Sequence, residues 1–281
     1  MMLKKTATLV LGLTLLLTAC GKESVEGQND DGITNVKVAF EIGSKPMTYL
    51  DENGQPAGYD IDVMKRVDEK LEAYSFEFVG TTSDDLLIGV EQGKFQAGVK
   101  NAFYTEERAK KYIYPKQFIG LSSAGLALKA EYEHIQSLAD FATEGFTLAP
   151  IAANNAQYTV IAEHNHKNPD NPVKLEAGEE FGVDVVQWVN EGRVDGGVMI
   201  QGVFDKQVSD PNGPYHHLQG DVVYKEFAVI KTWPLFHKKQ QALADAYDQA
   251  LEDIAAAGEL EELSQKHYGR NLFEVLDRVE R

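Results

Sequence analysis

One cysteine, Cys20, stands in a chain of 281 residues, so the thiol chemistry open to it is narrow. With no second thiol there is no internal disulfide. The histidines invite a metal reading. His164 and His166 sit two apart beside Lys167-Asn168-Pro169, and His216-His217 follow Pro211-Asn212-Gly213-Pro214. Zinc needs three or four converging ligands, and no acid or cysteine spacing completes either pair. Both are read as surface histidines, and no metal or cofactor is expected. No G-x-S-x-G nucleophile motif occurs, so covalent acyl chemistry has no signature. The 44 acidic and 27 basic residues leave a formal charge of −17, which excludes the basic footprint that nucleic acid requires. Most of the acids belong to solvated helix faces such as Glu259-Leu260-Glu261-Glu262, so they do not announce a cationic ligand.

The position of Cys20 gives it another task. Lys4 and Lys5 precede an apolar run from Thr6 to Leu17, and small residues follow. About twelve apolar residues are too few for a spanning helix, which needs roughly twenty. The pattern is that of a secretory signal over 1–19. Leu17-Thr18-Ala19-Cys20 resembles the bacterial lipobox, in which the cysteine is acylated with diacylglycerol and becomes the new N-terminus. Acyl chains such as palmitate would then hold the protein on the bilayer. Residues 20–35 are polar and read as a flexible tether.

The elements that must position any site follow an α/β order. Asn35 to Phe40 alternates and is β-branched, predicting a strand. Met47 to Leu50 predicts a short strand, and Asp60 to Leu71 a helix capped by Asp60 or Asp62. A strand is expected over Tyr74 to Val79. Ser83-Asp84-Asp85 is expected to cap a helix ending at Glu91. Ala97 to Lys100 reads as a strand and Thr105 to Lys111 as a helix. A second series follows, with strands at 123–129, 147–150, 173–175, 195–199 and 222–231 and helices at 136–141, 156–164 and 184–191. Lys238 to Ala257 predicts a long helix stopped by Gly258, and Glu259 to His267 a final one. Two α/β units imply two lobes with strand-end loops facing one crevice.

The order of several motifs resembles the bacterial extracellular solute-binding proteins, family 3, of polar amino-acid ABC transporters. The pieces are Lys45-Pro46-Met47-Thr48-Tyr49, Gly58-Tyr59-Asp60-Ile61-Asp62, Gly93-Lys94-Phe95-Gln96-Ala97-Gly98, Thr105-Glu106-Glu107-Arg108, Tyr112-Ile113-Tyr114-Pro115, Glu191-Gly192-Arg193-Val194-Asp195 and Lys266-His267-Tyr268-Gly269. The resemblance implies a type II periplasmic-binding-protein-like fold of two α/β lobes joined by two crossover strands. The first lobe would span 36–120 plus 233–281 and the second 121–232, closing on the ligand by hinge motion.

That resemblance assigns the ligand's carboxylate to Arg108, because a guanidinium presents a planar fork that pairs both carboxylate oxygens. Taken alone, Arg108 reads as a surface cation beside Glu106 and Glu107. Slots that the family often fills with aromatic residues hold Ser44 and Ser83, and Asn101-Ala102-Phe103-Tyr104 replaces a Gly/Thr pair, so Phe103 or Tyr104 supplies a wall. Asn154 and Asn155 head a helix whose amides could grip a carboxylate, or could simply cap it. Where the family places an aspartate for the α-ammonium, this chain has Ile200. Glu41 or Asp84 would have to serve, or the ligand lacks that head; Gln201 is the nearest polar neighbour. The block from Asn154 to Leu175 leans toward the cystine-type branch of Gram-positive bacteria.

The expected partners are therefore an amino-acid ligand, an ABC permease and, through Cys20, the bilayer. The protein is expected to act as a monomer and not as an enzyme. The competing readings are an enzyme on the same fold acting on a small acid, with Glu41 as its acid or base, and a surface adhesin.

Overall fold

The computed structural model describes residues 32–153, 155–178 and 184–279. The signal, residues 20–31 of the expected tether, including Cys20, and Asn154 lie outside these; the tether is shorter than expected, because Thr34 and Asn35 already belong to the first strand.

The first lobe opens with β1 (Thr34–Glu41), β2 (Gly43–Ser44), β3 (Thr48–Leu50) and β4 (Pro56–Ala57). There follow α1 (Tyr59–Lys70), β5 (Tyr74–Thr81), α2 (Ser83–Glu91), β6 (Ala97–Ala102), α3 (Glu106–Lys111) and β7 (Tyr112–Ile113). β1 runs parallel between β5 and β6, with Glu41 level with Thr81 and Phe40 level with Val99. Alternate residues Val36, Val38 and Phe40 enter a core with Ile61, Met64 and Val67 of α1, as the period-2 and helical spacings require.

Helix α1 is not capped by Asp60 or Asp62. Its N-cap is Gly58 at φ 120, with no side-chain cap. The loop before it supplies the acceptors instead: Tyr59 N–H donates to Pro46 O at 3.0 Å and Asp60 N–H to Met47 O at 3.0 Å. A Cβ on residue 58 would sit 2.2 Å from the Met47 carbonyl oxygen, so this packing admits only glycine. Asp60 is consequently carried into the interior. Helix α2 is capped by Thr82, whose hydroxyl accepts from Asp85 N–H at 3.2 Å, one residue ahead of the expected Ser83-Asp84-Asp85.

The second lobe holds β8 (Gly120–Lys129), α4 (Leu138–Thr143), β9 (Ile151–Ala152), α5 (Ala156–Lys167), β10 (Ala177–Gly178), α6 (Val185–Asn190), β11 (Gly196–Ile200) and α7 (Gln201–Phe204). Strand β12 (Val222–His237) and helices α8 (Gln241–Ala256), α9 (Glu259–Tyr268) and α10 (Leu272–Val279) close the chain. β12 pairs antiparallel with β8 from Val222 to Thr232, then turns to β6 and β7. β8 and β12 are thus the two strands that join the lobes. The resulting sheet has the order β11-β8-β12-β6-β1-β5.

Two expected strands are reduced to bridges. Thr147 and Leu148 each make a single parallel bridge, to Lys174 and Gly196. Pro150 carries no N–H to continue the ladder. At 173–175 the carboxamide of Asn165 brackets Val173, donating to its carbonyl and accepting from its N–H, both at 2.8 Å. Those backbone groups are then spent on a side chain. Helix α10, which the sequence reading did not anticipate, lays Leu272 and Val275 over Leu121 on the back of the joining strands.

Candidate functional site

Ligands of open α/β sheets bind beyond the carboxyl ends of the strands. In the first lobe that edge carries charge of both signs. Glu41 is the last residue of β1 and half-buried. Continuing the parallel register by one residue past Phe40 and Val99 sets Lys100 of β6 beside it. Asp84 stands exposed in the first turn of α2, with half-buried Ser83 beside it. Burial lowers the Lys100 pKa; Glu41 and Asp84 pull it back up, while Arg108 adds to the lowering. Glu41, Asp84, Lys100 and Arg108 therefore share one electrostatic neighbourhood. The sequence reading missed Lys100. Its signal was a charged residue at the end of the otherwise apolar run Ala97-Gly98-Val99.

Arg108 lies in the first turn of α3, where Thr105 caps the helix by accepting from Arg108 N–H at 3.1 Å. Its Nη1 donates to the Phe103 carbonyl at 3.1 Å. The Tyr114 hydroxyl donates to the same oxygen at 2.7 Å. Burial pushes the Tyr114 phenol up to about 12, against the pull of Arg108. Among the described residues no carboxylate oxygen comes within 4.0 Å of the Arg108 guanidinium, so Glu106 and Glu107 are not its ion partners. A half-buried cation with unspent N–H donors at a strand-end edge is suited to an exogenous carboxylate.

Asn101 serves the scaffold. Its φ is 56, a left-handed conformation that asparagine tolerates better than most residues. Its side-chain oxygen accepts from the Ser122 hydroxyl at 2.7 Å, tying β6 to the first joining strand. Its N–H donates to Asp60 Oδ2 at 3.4 Å. Burial raises the Asp60 carboxyl to about 7, and the Asn101 N–H works against that rise.

On the second lobe, Asn155 is the N-cap of α5, its side-chain oxygen accepting from Gln157 N–H at 2.9 Å. Its amide NH2 remains to donate elsewhere. Asn155 lines a cavity of about 550 Å³ together with Pro150, Ile151, Asp184, Met199 and Ile200. Ile200 is 8% exposed and makes this wall apolar. Gln201 does not point freely into the crevice: its oxygen accepts from Arg270 Nη2 at 2.7 Å. Arg270 also pairs with Glu226, which accepts from the Ser123 hydroxyl. Gln201 and Arg270 share a small cavity of about 190 Å³ with Pro46 and Met47 of the first lobe. This polar cluster links the two lobes.

Between the half-sites Phe103 of the first lobe packs on Ala156 and Ile200 of the second and on Ala124, Ala228 and Ile230 of the two joining strands. The arrangement can hold a small zwitterion, with a carboxylate on Arg108 and an ammonium among Glu41 and Asp84. Among the described residues no group of three or more His, Cys, Asp or Glu side chains could hold a metal ion.

The model of the bacterial extracellular solute-binding proteins, family 3, matches residues 36–270. The L-cystine-binding protein TcyJ of Bacillus subtilis is 27% identical over 263 residues, covering 92% of this chain and 94% of the relative. The probable amino-acid-binding protein YxeM of the same organism is 26% identical over 275 residues, covering 96% and 97%. Among solved structures, the probable amino-acid ABC transporter extracellular-binding protein ytmK of Bacillus subtilis superposes with a TM-score of 0.63 at 21% identity. That match spans 84% of this chain and 98% of that one. The fold is therefore shared over 84% of this chain. With its two lobes, its strand-end charges and a family match from Val36 to Arg270, the chain belongs to the bacterial extracellular solute-binding proteins, family 3.

Proposed function

We propose that this protein captures an amino acid, cystine or another polar one, outside the cytoplasm and delivers it to an ABC permease. The observation that carries the reading is Arg108: a half-buried guanidinium at the strand-end edge, with no carboxylate of the described chain within 4.0 Å. The ligand's carboxylate pairs with Arg108, and Lys100 adds positive potential beside it. Its ammonium is met by Glu41 and Asp84 on the first lobe, which answers for the apolar Ile200 on the second. Asn155 donates from the head of α5, with Asn154 beside it in sequence, and Phe103 forms the floor; Ser83 borders the first-lobe face. Asn101 and Gln201 act indirectly, through Ser122 and Arg270. The lobes, 36–120 plus 233–281 and 121–232, close over the ligand about β8 and β12.

The protein is held at the extracytoplasmic face of the membrane by acylated Cys20 and works as a monomer. Leu17-Thr18-Ala19-Cys20 supports the anchor; no helix among the described residues is long and apolar enough to cross a membrane. Cys20→Ala is expected to release the protein from the membrane fraction; retention there contradicts the anchor.

A thermal-shift screen tests the ligand. The panel holds the twenty amino acids, cystine, dicarboxylates, short peptides and zinc. A ligand at a hundredfold excess over its Kd stabilises by about 2.7 kcal/mol. A large shift with an amino acid, absent in Arg108→Ala, is the expected result. Silence across all amino acids overturns the proposal.

A further inference from the structure

One arginine of the first lobe grips the second. Arg270 lies between α9 and α10, and its backbone is pinned to α9. Its carbonyl accepts from the Ser264 hydroxyl at 3.1 Å, and the Leu272 N–H donates to the same hydroxyl at 3.0 Å. Ser264 itself is buried, and Gly269 at φ 70 turns the chain out of α9 just ahead of Arg270. The side chain then crosses to the other lobe. Its Nη2 donates to the Gln201 side-chain oxygen at 2.7 Å and to Glu226, which also accepts from the Ser123 hydroxyl.

The two acceptors sit differently with respect to the hinge. Glu226 belongs to the joining strand β12, level with Gly125 of β8, and the pairing register shifts between Glu226 and Ala228. Such a shift bends a strand, as a β-bulge does. Gln201 opens α7, off both joining strands, and directly follows Ile200 of the second-lobe wall. Rotation of the second lobe about β8 and β12 therefore carries Gln201 further than Glu226 from a donor fixed to α9. The arrangement seen is an open one: Asp84 and Tyr104 are exposed, and Glu41 and Arg108 only half-buried. A captured small molecule has about 70–90% of its surface buried, which these faces do not yet provide. A charge-assisted hydrogen bond made in the open arrangement and lost on rotation weights the equilibrium toward the open side.

We propose that Arg270 and Gln201 form a latch that holds the lobes apart and so limits affinity without touching the ligand. Closure has to break the latch, and the apparent Kd rises in proportion as the closed form is made scarcer. Glu226 and Ser123 keep the guanidinium in place beside the bend, ready to take Gln201 again when the lobes reopen, and this favours release. The inference rests on the reading of the protein as one that captures an amino acid by closure.

Gln201→Ala removes the latch and leaves Arg270 on Glu226. The full-length wild type, Gln201→Ala, Arg270→Ala and the double variant are titrated by calorimetry, and dissociation is followed by stopped flow. The probe is whichever of the twenty amino acids and cystine gives the wild type its largest thermal shift. Gln201→Ala is expected to bind about three- to tenfold tighter, as loss of one charge-assisted hydrogen bond from the open form requires, and to release its ligand more slowly. Arg270→Ala is expected to bind tighter as well. The double variant should be no tighter than the tighter of the two single ones, because both residues act through one contact. A contact that only supports the fold lowers the melting temperature and leaves affinity alone, and a Gln201 side chain that touches the ligand weakens binding when it is removed. Affinity in Gln201→Ala equal to or weaker than that of the wild type therefore overturns the latch, while wild-type binding leaves the capture reading in place. A wild type that binds nothing in the panel overturns the capture reading, and the latch with it.

Discussion

Truncating Arg108 to alanine should destroy capture while sparing the fold, and the structure says why the two effects separate. Within the protein the guanidinium donates to the Phe103 carbonyl at 3.1 Å. That carbonyl also accepts from Tyr114 at 2.7 Å, so it keeps a partner in the variant. The helix start is held by Thr105 through backbone N–H, which alanine retains. The expected loss of folding stability is therefore about 1 kcal/mol, the net worth of one hydrogen bond. For the ligand the balance is different. Its carboxylate, desolvated by lobe closure, loses a charged fork, and removing one partner of such a pair costs about 2–5 kcal/mol. At ~1.4 kcal/mol per decade this weakens Kd roughly 30- to 4,000-fold. Lys100 is the nearby cation that can soften the loss, which argues for the lower half of the range. Arg108→Lys retains charge without the fork and should fall between. Isothermal titration gives the affinities and urea denaturation the stabilities. Wild-type affinity in a folded Arg108→Ala protein refutes the reasoning.

Other perturbations carry their own signs. Glu41→Gln should weaken an α-amino ligand about ten- to hundredfold by calorimetry, yet leave its desamino analogue unchanged; because Glu41 raises the Lys100 pKa, that lysine should also titrate lower. Asn101→Ala loses the Ser122 bond and forces alanine to φ 56, costing ~2 kcal/mol in urea denaturation, whereas Asn101→Gly loses the bond alone and should cost ~1 kcal/mol. Asp62 is desolvated, but hydrogen bonds from His267 at 2.9 Å and Lys266 at 2.7 Å outweigh this and hold its pKa at about 2, below the ordinary 3.8. A depressed carboxyl stabilises the fold above pH ~4 and loses that contribution as pH falls toward 2; with solvent screening it amounts to ~1 kcal/mol, and Asp62→Asn should flatten the acid limb of stability against pH.

What sequence made legible was whatever local periodicity decides. Helix α8 follows from Leu243, Tyr247, Leu251 and Ile254 at helical spacing, and all four are buried. Alternation in Val36, Val38 and Phe40 gives β1 and its buried face. Contacts between distant segments were not legible. Gly58 rather than an aspartate begins α1 because Pro46 and Met47 carbonyls fold onto it. Val173 leaves its strand because Asn165 claims its backbone. Lys100 becomes a site residue only once the β1–β6 register sets it beside Glu41. Gln201 is turned away by Arg270, 69 residues downstream.

The central claim, that a ligand carboxylate docks on Arg108, can be tested without altering the protein. The amino acid with the largest thermal shift is titrated calorimetrically beside its primary amide, which differs only at the carboxylate. One-to-one binding of the free acid, with the amide weaker by at least the thirtyfold expected for Arg108→Ala, is the predicted outcome. Equal affinity for acid and amide contradicts the assignment.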